Sequence, residues 1–119
     1  MTLEDRRTAP RVAAAYQITF ECFRQGVQVS QGTARTVNIS DNGALVEMPY
    51  AVDLDTSLIL SINAPFYTLV ARGDVVHARQ IASGVYHIGI KLTDMIEGDW
   101  SHLKLDVLQR LEEEPDARP

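Results

Sequence analysis

The first residues in this 119-residue sequence that suggest a chemical role are three arginines near the start. Arg7 and Arg11 frame the pattern Arg-x-x-x-Arg, and Arg6 precedes it directly. A guanidinium can fork onto phosphate oxygens or onto the O6 and N7 edge of guanine, and it can also stack on a base. Lysine lacks this planar fork. The pattern is thus suited to a ligand with phosphates and bases, but taken alone it is more typical of a charged arm that keeps the chain soluble.

A second pattern, Asn-Ile-Ser-Asp-Asn-Gly, runs from Asn38 to Gly43. Asn38 offers an amide to a guanine edge, and Ser40 offers a hydroxyl. Gly43 permits a tight backbone turn because it has no Cβ, and Asn and Gly both tolerate the positive φ angles of tight hairpins. The pattern is typical of a hairpin whose turn could also face a ligand.

Most of the chain alternates between apolar and polar residues, a pattern that predicts β-strands. The strands must therefore position the residues of both patterns. Tyr16, Ile18, Phe20 and Cys22 fall on one face of the first strand, as period two requires. Turn residues such as Gln25-Gly26 and Ala82-Ser83-Gly84 separate the strands. The spacing predicts a mainly β fold, either a barrel or a sandwich. The predicted strands lie near 12–22, 27–38 (with a break considered at 30–32), 44–48, 57–62, 68–79 and 85–92.

The last periodic segment changes to helical spacing, which predicts one C-terminal amphipathic helix after a cap at Asp99. Its apolar residues are Trp100, Leu103, Val107, Leu108 and Leu111. Residues 1–11 show no periodicity and are expected to form a mobile arm that carries the arginines. Residues 12–111 form the barrel and helix, and residues 112–119 are expected to be an acidic disordered tail.

Composition narrows the classes of function. The net charge of -5 and the pI near 5.0 argue against a protein that neutralises long stretches of DNA or RNA. The single cysteine, Cys22, excludes an intramolecular disulfide and suits a reducing compartment. No signal peptide and no apolar run long enough to cross a bilayer is present, so a cytoplasmic location is expected.

The two patterns together, in this order and set among about six strands, resemble the PilZ domain family, receptors for cyclic di-GMP. The resemblance extends from about Asp5 to Leu92, and it includes the Gly89-Ile-Lys-Leu92 segment, where Leu92 replaces a frequent aromatic residue. It implies a six-stranded antiparallel barrel of the split-barrel type that acts as a receptor. The residues themselves offer no motif for an enzyme or a metal site, and no cofactor is expected. The resemblance also implies cyclic di-GMP as the ligand, bound by Arg6, Arg7, Arg11, Asn38, Ser40 and Gly43.

Further expectations follow from this resemblance. An arginine before the first motif accompanies capture of an intercalated pair of ligands in the family, so Arg6 predicts two ligands per chain. Binding should order the arm and change the affinity for an unidentified protein effector, with outputs such as motility, biofilm or virulence. The oligomeric state stays open.

Other functions have less support in the sequence. The three histidines (His77, His87 and His102) lack metal-ligand spacing, so core or surface roles are expected. The acidic residues Asp53, Asp55 and Asp74 could be paired as acid and base, but solvated loop carboxylates are the usual finding. No nucleophile motif is present. A PilZ-fold protein adaptor without nucleotide remains as the main alternative, and a barrel that binds single-stranded nucleic acid is a weaker one.

Overall fold

The protein is a closed β-barrel of antiparallel strands. The computed structural model describes residues 12–13, 15–64, 67–103 and 105, and most of them lie in strands. Their bounds in chain order are β1 (Val12–Ala13), β2 (Gln17–Arg24), β3 (Val27–Ser40), β4 (Gly43–Met48), β5 (Ser57–Ala64), β6 (Tyr67–Ala82) and β7 (Val85–Glu97).

Six of these strands close the barrel. Their order around it is β3-β2-β5-β6-β7-β4, and β4 pairs with β3 to complete the circle. The short β1 pairs with the C-terminal end of β3. Val12 opposes Ile39 and Ala13 opposes Asn38. Closure leaves the long strands without a free edge over most of their length. The predicted six-stranded antiparallel barrel is confirmed.

The alternation of β2 shows how the barrel core forms. Tyr16, Ile18, Phe20 and Cys22 are all buried, and Gln17, Thr19 and Glu21 between them are exposed. Each fully buried apolar side chain of this kind stabilises the fold by about 1.5–3 kcal/mol. Burial also raises the pKa of the Cys22 thiol, because the thiolate would lose its hydration. Cys22 is therefore a packing residue.

Several strands extend beyond the predicted bounds. β3 is continuous through 30–32, and a bulge near Val29 replaces the break that was considered there, since Cys22 opposes Ser30 and Phe23 opposes Gln28. β6 and β7 are longer by several residues because their backbones pair from Val70 with Glu97 to Ala82 with Val85. The β6–β7 ladder is thus the longest in the barrel.

A C-terminal helix begins at Trp100 and includes the described residues 100–103 and 105. Trp100 and Leu103 are buried against the barrel, as their helical spacing predicts. The predicted helix residues Val107, Leu108 and Leu111, and the tail 112–119, lie outside the described residues. Within the part of the chain that the structure describes, no helix has the length and apolar character needed to cross a membrane.

The predicted cap at Asp99 is present. The carboxylate accepts hydrogen bonds from the backbone N–H of Ser101 at 3.0 Å and from its hydroxyl at 2.8 Å. These bonds to Ser101 hold the pKa of Asp99 below its usual value, because they favour the charged form. The cap is therefore complete only while this carboxyl is ionised.

Replacing Asp99 with alanine should lower the melting temperature by roughly a few degrees, because the first turn of the helix loses its cap. In the wild type the cap contributes fully above the pKa of the unfolded carboxyl, about 3.9, and its contribution falls as the pH drops through the lower folded value. Thermal melts of both proteins between neutral and acidic pH would measure this. An Asp99→Ala protein that melts like the wild type at neutral pH would contradict it.

Candidate ligand-binding cleft

A cleft of about 300 Å³ lies on the outer face of the barrel, where β3, β4, β7 and β6 run side by side. We call it the binding cleft, because it brings the second sequence pattern together with side chains from two later strands. It is lined by Asn38, Ser40, Asn42, Gly43, Ala44, Leu45, Val76, His77, Gly89, Ile90 and Lys91. Its size is at the lower end of the usual range for small-molecule sites.

Asn38 faces this cleft because β3 contains a bulge. Thr36 opposes Val46 and Asn38 opposes Leu45, so Val37 is an extra residue without a partner on β4. Thr36 and Ile39 are both buried although they lie three residues apart, so the strict alternation of inward and outward side chains is broken between them. Without the extra residue, Asn38 would follow Thr36 into the core. The bulge therefore turns a polar amide toward the outer face, where a ligand can reach it.

Ser40 and Asn42 are joined to each other and to the helix. The Ser40 hydroxyl donates to Oδ1 of Asn42 at 3.0 Å, and the backbone N–H of Leu92 donates to the Asn42 carbonyl at 2.8 Å. The indole N–H of Trp100 donates to the backbone carbonyl of Ser40 at 2.7 Å in a buried setting. The turn between β3 and β4 is thus fixed on one side by β7 and on the other by the helix.

Gly43 lies in the cleft, but the reason for a glycine differs from the one expected. Neither Asn42 nor Gly43 has a positive φ, so the hairpin turn does not use the left-handed conformations that the sequence suggested. A Cβ at position 43 would instead overlap the backbone carbonyl oxygen of Ile90 on β7. Close approach of the β4 and β7 backbones is what requires glycine here.

The three arginines of the first pattern, Arg6, Arg7 and Arg11, lie outside the described residues. The structure does place the strand that directly follows them. Val12 and Ala13 pair with Ile39 and Asn38 on β3. The chain therefore enters the barrel at the residues that border the binding cleft.

Sequence reasoning missed two cationic or aromatic side chains of the cleft, His77 on β6 and Lys91 on β7. Both are exposed. The sequence predicts a core or surface role for His77. It includes Lys91 only within the Gly89-Ile-Lys-Leu92 segment, without a role in binding. Their proximity to Asn38 comes from the pairing of β4 with β7 and of β7 with β6, which no local spacing reveals.

A row of charges borders the cleft on the same outer face. Glu47 on β4 accepts from Arg35 on β3 at 3.4 Å and lies 3.3 Å from Nε2 of His87 on β7. These three residues oppose one another directly in the ladders. Glu47 is therefore flanked by basic groups, which limits its repulsion of an anionic ligand. A second carboxylate on this face, that of Asp74 on β6, lies opposite the cleft residue Lys91 in the β6–β7 ladder.

The acidic residues considered for catalysis are spread over the surface. Asp53 and Asp55 form exposed ion pairs with Arg24 at 3.2 and 3.1 Å, and Asp74 lies on β6 opposite Ser57. Such exposed pairs contribute little to stability. His102 packs edge to face against Tyr67 near the helix. These positions agree with the surface roles expected from the sequence.

Comparison with known proteins bears on the fold and the family. The PilZ domain family matches residues 5–109 of the chain. The structure is similar to that of the Bacillus subtilis inhibitor of motility, MotI/DgrA, with a TM-score of 0.69 and 17% sequence identity over 91% of this chain and 52% of that one. The chain thus spans about half the length of that protein, and the likeness shows a shared fold. No curated protein matches the sequence.

Proposed function

Because the chain belongs to the PilZ domain family, which matches most of its length, we propose that it is a receptor for cyclic di-GMP that passes the signal to a protein partner. PilZ domains are receptor and adaptor domains, and the proposal assigns no catalytic step to this one. The ligand would be met by Arg6, Arg7 and Arg11 from one side and by Asn38, Ser40 and Gly43 from the other.

The observation that carries the proposal is the position of β1. The chain leaves the arginine segment at Val12, which opposes Ile39, one residue from Asn38 in β3. Arg7 lies five residues before Val12, and five residues span at most about 18 Å when fully extended. The guanidinium groups are therefore within reach of the cleft that contains Asn38.

The chemistry of the cleft also suits a cyclic dinucleotide. Within the described ranges, the side chains of Asn38 and Lys91 form no hydrogen bond or ion pair, so both can be used by a ligand. An amide can address the edge of a guanine, and the Lys91 ammonium can meet a phosphate. The overall charge of the chain is negative, so the affinity for an anion must come from such local groups.

The proposed signal is a shift between two populations. The ligand holds the arginine segment against the cleft and thereby changes the surface that a partner meets. The shift between the two states is as large as the difference in the affinity of the ligand for them. Arg6 leads us to propose two stacked ligands per chain. The likeness to a protein named as an inhibitor of motility makes control of motility the first output to test.

Calorimetric titration of cyclic di-GMP into the full chain tests the proposal. We expect binding to the wild type, and affinity about tenfold lower in Asn38→Ala and in Ser40→Ala, because each variant loses a hydrogen bond to the ligand. Asn63→Ala is the matched control, since Asn63 is exposed on β5, which pairs with neither β4 nor β7.

The stoichiometry of the same titration tests the two-ligand form. Two ligands per chain in the wild type and one in Arg6→Ala are expected. Absence of binding by the wild type would contradict the receptor proposal and favour a PilZ-fold adaptor that works without nucleotide. Equal losses in Asn63→Ala would show that the effects of the other variants do not come from the cleft.

A further inference from the structure

Four residues on four neighbouring strands form one straight row across the binding cleft. Asn38 on β3 opposes Leu45 on β4, Leu45 opposes Gly89 on β7, and Gly89 opposes His77 on β6. Directly opposed residues point to the same face of a sheet, and here that face is the outer one. With strands about 4.8 Å apart, the row spans roughly 14 Å between its two ends.

His77 reaches the outer face in the same way as Asn38 does. Val75 opposes Ile90 and His77 opposes Gly89, so Val76 is an extra residue in β6. Val75 is buried in the core, and Val76 and His77 are exposed. Without the bulge at Val76, His77 would follow Val75 into the interior. Two bulges, one at each end of the row, therefore place a polar side chain at each end.

Gly89 has no side chain, so the middle of the row is a trough, and the imidazole ring of His77 lies in it. The three heavy atoms nearest to a Cβ built at position 89 all belong to the imidazole ring of His77, and that Cβ would overlap the ring. The ring thus leans across the β7 backbone toward Leu45. Within the described ranges, the imidazole of His77 forms no hydrogen bond or ion pair, so no polar partner accounts for this placement.

From this geometry we infer that His77 is a further ligand-binding residue, whose imidazole, lying in the trough over Gly89, stacks on a purine base of the ligand that lies above Leu45. The inference rests on the proposed function, and it extends the ligand surface across β7 to β6. Asn38 addresses the edge of the base from one end of the row, and His77 covers its face from the other. Planar rings of this kind bind bases through stacking, with little dependence on base identity.

Titration of cyclic di-GMP into His77→Ala tests the inference. We expect about tenfold weaker binding than in the wild type, the usual size of one lost base-stacking contact. His77→Phe should retain most of the affinity, because it keeps a flat ring, and His77→Gln should not. His102→Ala is the matched control, since His102 lies beside Tyr67 near the helix and outside the cleft.

A second variant tests the trough itself. Gly89→Ala should displace only the exposed His77 ring and leave the fold intact, yet weaken binding several-fold. In a His77→Ala background the same change should cost little more, because the two positions act through one contact. His77→Ala binding within about twofold of the wild type, or rescue by Gln and not by Phe, would overturn the inference. A wild type that does not bind would overturn the receptor proposal as well.

Discussion

Replacing Arg7 with alanine should weaken cyclic di-GMP binding by roughly a hundredfold, because a bidentate guanidinium contact to a phosphate or guanine is lost along with its charge. Residue 7 precedes the barrel, so the melting temperature should stay that of the wild type. Calorimetry for the affinity and a thermal melt for the fold would measure both. The combination of lost binding and unchanged stability is the signature of a ligand contact.

Two further variants sharpen this test. Arg7→Lys keeps the charge and removes the planar fork, so it should recover only a small part of the affinity. Arg24→Ala is the matched control, because Arg24 pairs with Asp53 and Asp55 near the β2–β3 turn, at the other end of β3 from Ser40. If Arg7→Ala bound cyclic di-GMP as tightly as the wild type, Arg7 would not be a ligand-binding residue.

Replacing Trp100 with alanine should destabilise the fold by about 3–5 kcal/mol, since it leaves a large cavity where the helix packs on the barrel. The side chain is 4% exposed. The change would also leave the Ser40 carbonyl without its buried donor. This loss is a large fraction of the stability of an ordinary domain. Urea denaturation followed by circular dichroism would measure the loss. Tryptophan fluorescence cannot be used, because the chain has no other tryptophan.

Trp100→Phe keeps part of the packing. It retains one aromatic ring in the core and removes the donor to Ser40 together with the rest of the indole, so we expect a cost of about 1–3 kcal/mol, smaller than that of Trp100→Ala. Because Ser40 lies in the binding cleft, this variant should also change the affinity for cyclic di-GMP. Unchanged affinity in Trp100→Phe would mean that ligand binding in the cleft is not coupled to the helix through this hydrogen bond.

The sequence was sufficient to predict the strands because side-chain alternation reports which face of a strand is buried, and the resemblance to the PilZ family selected a barrel over a sandwich. The alternation from Tyr16 to Cys22 corresponds to β2 and its inward face. The ends of β6 and β7 escaped prediction because residues such as Asp94 and Glu97 are exposed and join the sheet through backbone pairing with Arg72 and Val70. β1 has two residues, too few to form a pattern.

The cleft was predicted in part. Its β3–β4 side follows from a contiguous motif, and the structure brings Asn38, Ser40 and Gly43 together. Its far side could not be predicted, because His77 and Lys91 reach it through pairings between residues distant in sequence. Bulges add a second difficulty, since a reading that assumes strict alternation assigns His77 and Asn38 to the wrong face.

The bulges at Val37 and Val76 give the protein an uneven tolerance to genetic change. Val76 is 51% exposed, so most substitutions there should be accepted. Deletion of this one codon would restore strict alternation, direct the His77 imidazole into the apolar interior and erase one end of the row. The same holds for Val37 and Asn38. Homologous chains should therefore vary in residue type at Val76, and less at the half-buried Val37, while conserving the number of residues across each bulge.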